Sequence, residues 1–180
     1  MKVLSIDSSS VVAGVAILDA DRLLYEEVQH HEKNHSVILM PMVEQALDSC
    51  QLTLKQIDLF AVSGGPGSFT GLRIGISTVK GLAIISVPTV DSLAYNLYGT
   101  DRMVCPIMDA RRDQVYTCLY RREGSRYVPL MPYSALPVEQ LADQLILSQK
   151  SVYFVGDGIP VYRDRLSARL GKSAWFVPPY

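Results

Sequence analysis

Residues 3–18 read VLSIDSSSVVAGVAIL, and residues 104–119 read VCPIMDARRDQVYTCL. In each, an apolar run reaches an aspartate (Asp7, Asp109), turns through a few small or polar residues (Ser8–Ser10, Ala110–Arg112) and resumes as a second apolar or alternating run. Two such runs joined by a polar turn predict an antiparallel hairpin. The hairpin recurs roughly a hundred residues on, the spacing of domain-sized units. The chain therefore reads as one unit written twice.

Working outward, the first copy continues with a strand at Leu23–Val28 and a helix from Ser36 to Cys50. A buried strand at Ile57–Val62 ends at Gly64-Gly65, a helix covers Thr70–Ile85, and a strand follows at Pro88–Val90. The second copy has strands at Val115–Tyr120 and Tyr127–Leu130, then a helix over Val138–Leu147 behind Pro137, a favourable first-turn residue. A strand at Ser151–Val155 ends at Gly156-Asp157-Gly158; a helix over Tyr162–Leu170 and a strand at Phe176-Val177 complete it. Each half is β-β-β-α-β-α-β. Strand–turn–strand segments pair antiparallel and strand–helix–strand segments need right-handed parallel crossovers, so each half is a mixed sheet with helices. The fold class is α/β, in two lobes, 1–100 and 101–180, facing each other across a cleft. This pattern resembles the actin, Hsp70 and sugar-kinase architecture (ribonuclease H-like). The resemblance implies ATP or ADP between the lobes, with the first-hairpin aspartate near phosphate: Asp7, Ser8 and Ser9 hold that place. The alternative is that these residues only close a tight turn by local hydrogen bonds.

The 180 residues are 48% hydrophobic and 19% charged, with a net charge of -1, which suits a sizeable core and excludes a strongly basic nucleic-acid binder. Residues 1–100 carry 6 Lys/Arg against 10 Asp/Glu, and residues 101–180 carry 11 against 8. No run approaches the ~20 apolar residues of a membrane helix. MKVLSIDSSS lacks a signal peptide's apolar core. Cys50, Cys105 and Cys118 form no CxxC pair, the pattern of free thiols in a reducing compartment. A cytoplasmic protein with no membrane association is expected.

Residues 63–75, SGGPGSFTGLRIG, have the glycines of a phosphate loop but not its pattern: no G-x-x-x-x-G-K-[ST] or G-x-G-x-x-G frame fits. Gly67, Gly71 and Gly75 recur every fourth residue, with Thr78 next, and make a smooth row on a helix. Glycine costs ~1 kcal/mol per helical position relative to alanine, so the row calls for a close backbone neighbour. Leu72, Ile76, Val79 and Ala83 form a separate core stripe, and Arg73 and Ile74 lie between. The first helix is likewise apolar around much of its circumference, with Val37, Ile38, Leu39, Met40, Met42 and Val43. Both helices are expected to be covered by a partner as well as by their own core. Being sandwiched within this chain is the alternative.

His31–His35 spells H-E-x-x-H, but between a strand and a helix rather than on one. Capping of the following helix by Asn34–Ser36 is the plainer reading, and no metal site is assigned.

IDSSS at residues 6–10, His35-Ser36 with the following LMPMVEQAL, GGPGSFTGLRIG and MDARRDQVY resemble the TsaB (YeaZ) family, a subunit of the bacterial machinery for threonylcarbamoyladenosine in tRNA. The resemblance is strong over residues 1–120 and looser beyond, where VGDG at 155–158 is the best marker. It implies a non-catalytic paralogue of the catalytic subunit TsaD, with no catalytic residue of its own. The TsaD metal motif, HxxxH, corresponds to SLAYNLYGT at 92–100, which has no His, Cys or Glu. The resemblance also implies docking to a TsaD-like subunit, or to a second copy, through the two helices; a TsaE-like ATPase as a further partner; and tRNA met only through the complex. Leu39, Met42, Val43, Gly67, Gly71, Arg73, Ile74, Gly75 and Thr78 are the docking residues expected. Family members continue for several dozen residues beyond this point, so a shortened second lobe is expected. A phosphotransferase or ATPase using Asp7 is the competing reading, and a zinc peptidase using His31 and His35 a more distant one.

Overall fold

The structure is a computed structural model describing residues 1–30, 35–79 and 84–178. The H-E-x-x-H string, Lys80, Gly81 and Ala83 lie outside the described residues. The chain divides into two compact units, Met1–Thr89 and Val90–Tyr180.

In the first unit, β1 (Lys2–Asp7) pairs antiparallel with β2 (Val12–Asp19), which pairs antiparallel with β3 (Arg22–His30). On its other side β1 runs parallel to β4 (Leu59–Ser63), and β4 parallel to β5 (Ile84–Val87). The order is β3-β2-β1-β4-β5. Helix α1 (His35–Ser49) links β3 to β4, and α2 (Phe69–Thr78) follows β4. The core-facing stripe of α1 is Leu39, Met42, Val43, Ala46 and Leu47, the i, i+3, i+4 rhythm of a helix, and all five are buried. They pack with Leu4, Ile6, Val15, Ile17 and Phe60, inward positions of the sheet.

Two boundaries differ from the sequence reading. The helix expected over Thr70–Ile85 ends at Thr78, and Ile84 and Ile85 begin β5. The segment Ile-Ile-Ser-Val is β-branched at Ile84, Ile85 and Val87, which favours a pleated chain over a helix. The strand expected at Pro88–Val90 is instead the approach to α3 (Thr89–Tyr95). Val90 and Ala94 of α3 are buried with Val104, Met108 and Tyr120, so this helix packs with the second unit and the boundary drawn at residue 100 lies beyond it.

The second unit repeats the order. Strands β6 (Met103–Asp109), β7 (Gln114–Thr117), β8 (Tyr120–Glu123), β9 (Arg126–Pro129) and β10 (Ser134–Pro137) precede α4 (Val138–Ser148), β11 (Val152–Val155), α5 (Ile159–Leu170) and β12 (Ala174–Phe176). The sheet path is β10-β7-β6-β11-β12, with β8 and β9 as a side branch on β6. The run expected to be one strand over 115–120 is thus two. The break at Cys118–Leu119 falls opposite Pro106, which has no N–H to give a ladder; Thr117 Oγ1 donates to its carbonyl at 2.7 Å. The third strand of the repeat is therefore β10, paired with β7, and not the Tyr127–Leu130 segment.

All three cysteines are unpaired. Burial pushes the Cys105 thiol up to about 12 and raises that of Cys118. Only the thiolate reacts, so a disulfide reagent at pH 8 is expected to titrate Cys50, the partly exposed one, in the native protein and all three after denaturation. Fast native reaction of Cys105 would contradict this packing.

Candidate functional site

The hairpin β1–β2 turns at Asp7–Ser10, against the start of α2. Asp7 Oδ1 accepts from the Ser9 N–H at 2.8 Å and from Ser9 Oγ at 2.7 Å. Ser8 Oγ donates to the Gly71 carbonyl at 2.9 Å, and the Ser68 N–H donates to the Ser9 carbonyl at 2.6 Å. Ser8 and Ser9 are each 2% exposed. Ser8 and Ser9 thus meet the start of α2, Ser9 also meets Asp7, and neither hydroxyl is presented to solvent in this conformation; Asp7 is half-buried.

The glycine row serves this contact. A Cβ at Gly71 would stand 1.9 Å from the Ser8 carbonyl oxygen, one at Gly67 2.4 Å from that of Ser9, and one at Gly75 2.7 Å from Ser8 Oγ. A backbone does approach the row, but it is the chain's own hairpin. Gly71 and Gly75 are buried there, whereas Ile76, expected in the core stripe, is 43% exposed. The second unit repeats the device: a Cβ at Gly156 would stand 2.4 Å from the Ile107 carbonyl oxygen, to which the Gly158 N–H donates at 3.0 Å.

With those faces inward, α1 and α2 turn a different set outward. A groove of about 600 Å3 runs between them, to which α1 contributes Ser36 and Met40, and α2 contributes Phe69, Thr70, Arg73, Ile74, Ser77 and Thr78. Phe69 is 69% exposed and Met40 42%; Val37, which lines a separate depression with Glu27 and Gln29 of β3, is 64% exposed. Apolar side chains concentrated in this way on one face mark an interaction surface more often than singly scattered ones do. Ser68 caps α2 by accepting from the Gly71 N–H at 3.2 Å, and Thr78 Oγ1 donates to the Ile74 carbonyl at 2.9 Å. Pro41 lies inside α1, and its missing N–H leaves the exposed Val37 carbonyl without its intrahelical donor.

Of the docking residues expected from sequence, Arg73, Ile74 and Thr78 line this groove. Leu39, Met42 and Val43 belong to the unit's own core, and Gly67, Gly71 and Gly75 to the hairpin contact. Phe69 and Met40 also line the groove and were not among the docking residues expected. Subtracting the core rhythm of α1 from its apolar residues leaves Val37, Ile38 and Met40, of which Met40 lines the groove.

In the second unit, Asp109 Oδ1 accepts from the Arg111 N–H and from Tyr162 Oη, both at 2.9 Å. Burial, with that bond second, pushes the Tyr162 phenol up to about 12. Arg165 pairs with Asp113 at 2.6 Å and with Glu139, whose carboxyl it holds below the ordinary range. These contacts tie the β6–β7 turn to α4 and α5. Asp91, just before the segment compared with the metal motif, accepts from Tyr120 Oη and, at 3.0 Å, from Tyr133 Oη. Among the described residues, no three or more His, Cys, Asp or Glu side chains gather as a metal site, and no helix is long and apolar enough to cross a membrane.

A family model described as tRNA N6-adenosine threonylcarbamoyltransferase (TsaD) matches residues 26–175. The tRNA threonylcarbamoyladenosine biosynthesis protein TsaB of Bacillus subtilis is 33% identical over 181 residues, covering 97% of this chain and 79% of the relative. The chain belongs to the TsaB (YeaZ) family. The solved structure of YeaZ from Pseudomonas aeruginosa superposes with a TM-score of 0.79 at 30% identity, over 91% of this chain and 79% of that one. The ethanolamine utilization protein EutJ from Carboxydothermus hydrogenoformans, 12% identical, shares the fold alone, with a TM-score of 0.53 over 98% of this chain and 84% of its own. The TsaB-family chain thus has the duplicated mixed-sheet, actin-like architecture read from its repeated hairpin.

Proposed function

We propose that this chain is a non-catalytic scaffold subunit of the machinery that makes threonylcarbamoyladenosine in tRNA, docking a TsaD-like catalytic subunit through the outward face of α1 and α2. The observation that carries the reading is the groove between these helices. Their inner faces are already used by the core and the hairpin, yet Phe69, Met40, Val37 and Ile76 stand exposed on the outside. The burial of the Ser8 and Ser9 hydroxyls supports a scaffold over a phosphotransferase, since those two side chains would have to leave their partners to reach a phosphate. In this reading the chain needs no cofactor of its own. ATP hydrolysis falls to a TsaE-like partner, tRNA is met only through the assembly, and the same face holds a second copy when the catalytic subunit is absent. The cytoplasm is where such an assembly would work.

Size exclusion of the chain with its cognate TsaD-like subunit is expected to give a heteromeric species, and tRNA modification to require both proteins. A chain that elutes unchanged in the mixture, or that modifies tRNA or turns over ATP alone, would overturn the proposal.

A further inference from the structure

Among the described residues, the groove between α1 and α2 has a single charged lining residue, Arg73; the other described lining side chains are uncharged. Its guanidinium carbon lies 3.9 Å from the ring centroid of Phe69, one helical turn earlier. Stacking uses one face of the planar group and leaves its N–H edge free. Among the described residues no carboxylate forms an ion pair or hydrogen bond with it. In solvent this costs nothing, because water solvates the edge. Under a docked apolar surface, a guanidinium without a partner is strongly unfavourable, whereas one met by a carboxylate in bidentate geometry is not.

Building on the docking reading above, we infer that the partner's contact surface is an apolar helical face carrying one Asp or Glu that meets Arg73, and that Arg73 sets the preference for this partner over a second copy of the chain. Among the described residues the groove supplies no carboxylate of its own. Glu44 is exposed on α1, one turn past Met40, but does not line the groove. Two copies laid groove to groove would bring two Arg73 guanidiniums into one seam with no carboxylate among the described lining residues to neutralise them, and like charges in contact disfavour the wrong pair.

The test measures two affinities for each variant: calorimetric titration with the cognate TsaD-like subunit, and self-association by sedimentation velocity. Arg73→Met removes the charge and keeps an apolar stem on an exposed position. It is expected to weaken partner binding by at least roughly tenfold while tightening self-association, with Arg73→Lys in between for both. If Arg73→Met leaves partner binding unchanged while Met40→Asp abolishes it, the docking face stands and the carboxylate inference is overturned. If self-association weakens with Arg73→Met, the assigned preference is wrong. Unchanged binding in both Arg73→Met and Met40→Asp removes the docking reading itself, and this inference with it.

Discussion

Gly71→Ala is expected to destabilise the first unit by roughly 3 kcal/mol, at the upper end of what overpacking a core position costs. On propensity alone the sign would be opposite: alanine in a helix interior is favoured over glycine by ~1 kcal/mol. The difference lies in what the new methyl meets. Its Cβ would stand 1.9 Å from the Ser8 carbonyl oxygen, and that atom belongs to backbone one residue past the end of the β1–β2 ladder, held also by the Ser8 Oγ bond to the Gly71 carbonyl. Neither side can yield as a flexible side-chain tip could. Urea unfolding with an unchanged m-value would read the loss as stability. Ile76→Ala, at an exposed position on the same helix, should stay within about 0.5 kcal/mol. A neutral or stabilising Gly71→Ala would mean that the hairpin does not press on α2.

The second large effect concerns association. Met40→Asp with Phe69→Asp places two carboxylates in the middle of the groove, on α1 and α2 respectively. Both side chains point away from the core, so the variant is expected to fold with nearly the parental melting temperature. Truncating a central interface anchor typically costs 2 kcal/mol or more, and the carboxylate at position 40, desolvated under a docked partner, adds to that. A loss of at least roughly a hundredfold in affinity for the catalytic subunit follows from those two terms.

Much of the fold was legible because hydrophobic period is a local property. The five-residue stripe of α1, the two hairpins and the parallel strands behind each glycine turn all follow from side chains within a few positions of one another. What was not legible depended on residues distant in sequence. A glycine row states that some backbone comes close, not which one, and Ser8 lies 63 residues from Gly71. The row was read as a seat for a foreign helix when it seats the chain's own hairpin. On α1 the core rhythm already set Leu39 apart from Met40, yet the docking residues expected from sequence included buried Leu39 and left out exposed Met40. A strand near β9 was expected, but β8 escaped notice because Val115–Tyr120 alternates smoothly; the interruption falls opposite Pro106.

Calorimetric titration of the cognate TsaD-like subunit into the parental chain and into the Met40→Asp, Phe69→Asp variant tests the docking face most directly. A saturable heat with the parental chain, and none with a variant shown by circular dichroism to be folded, is the predicted result. Equal affinities for the two proteins would contradict the assignment of the α1–α2 groove as the surface this chain uses.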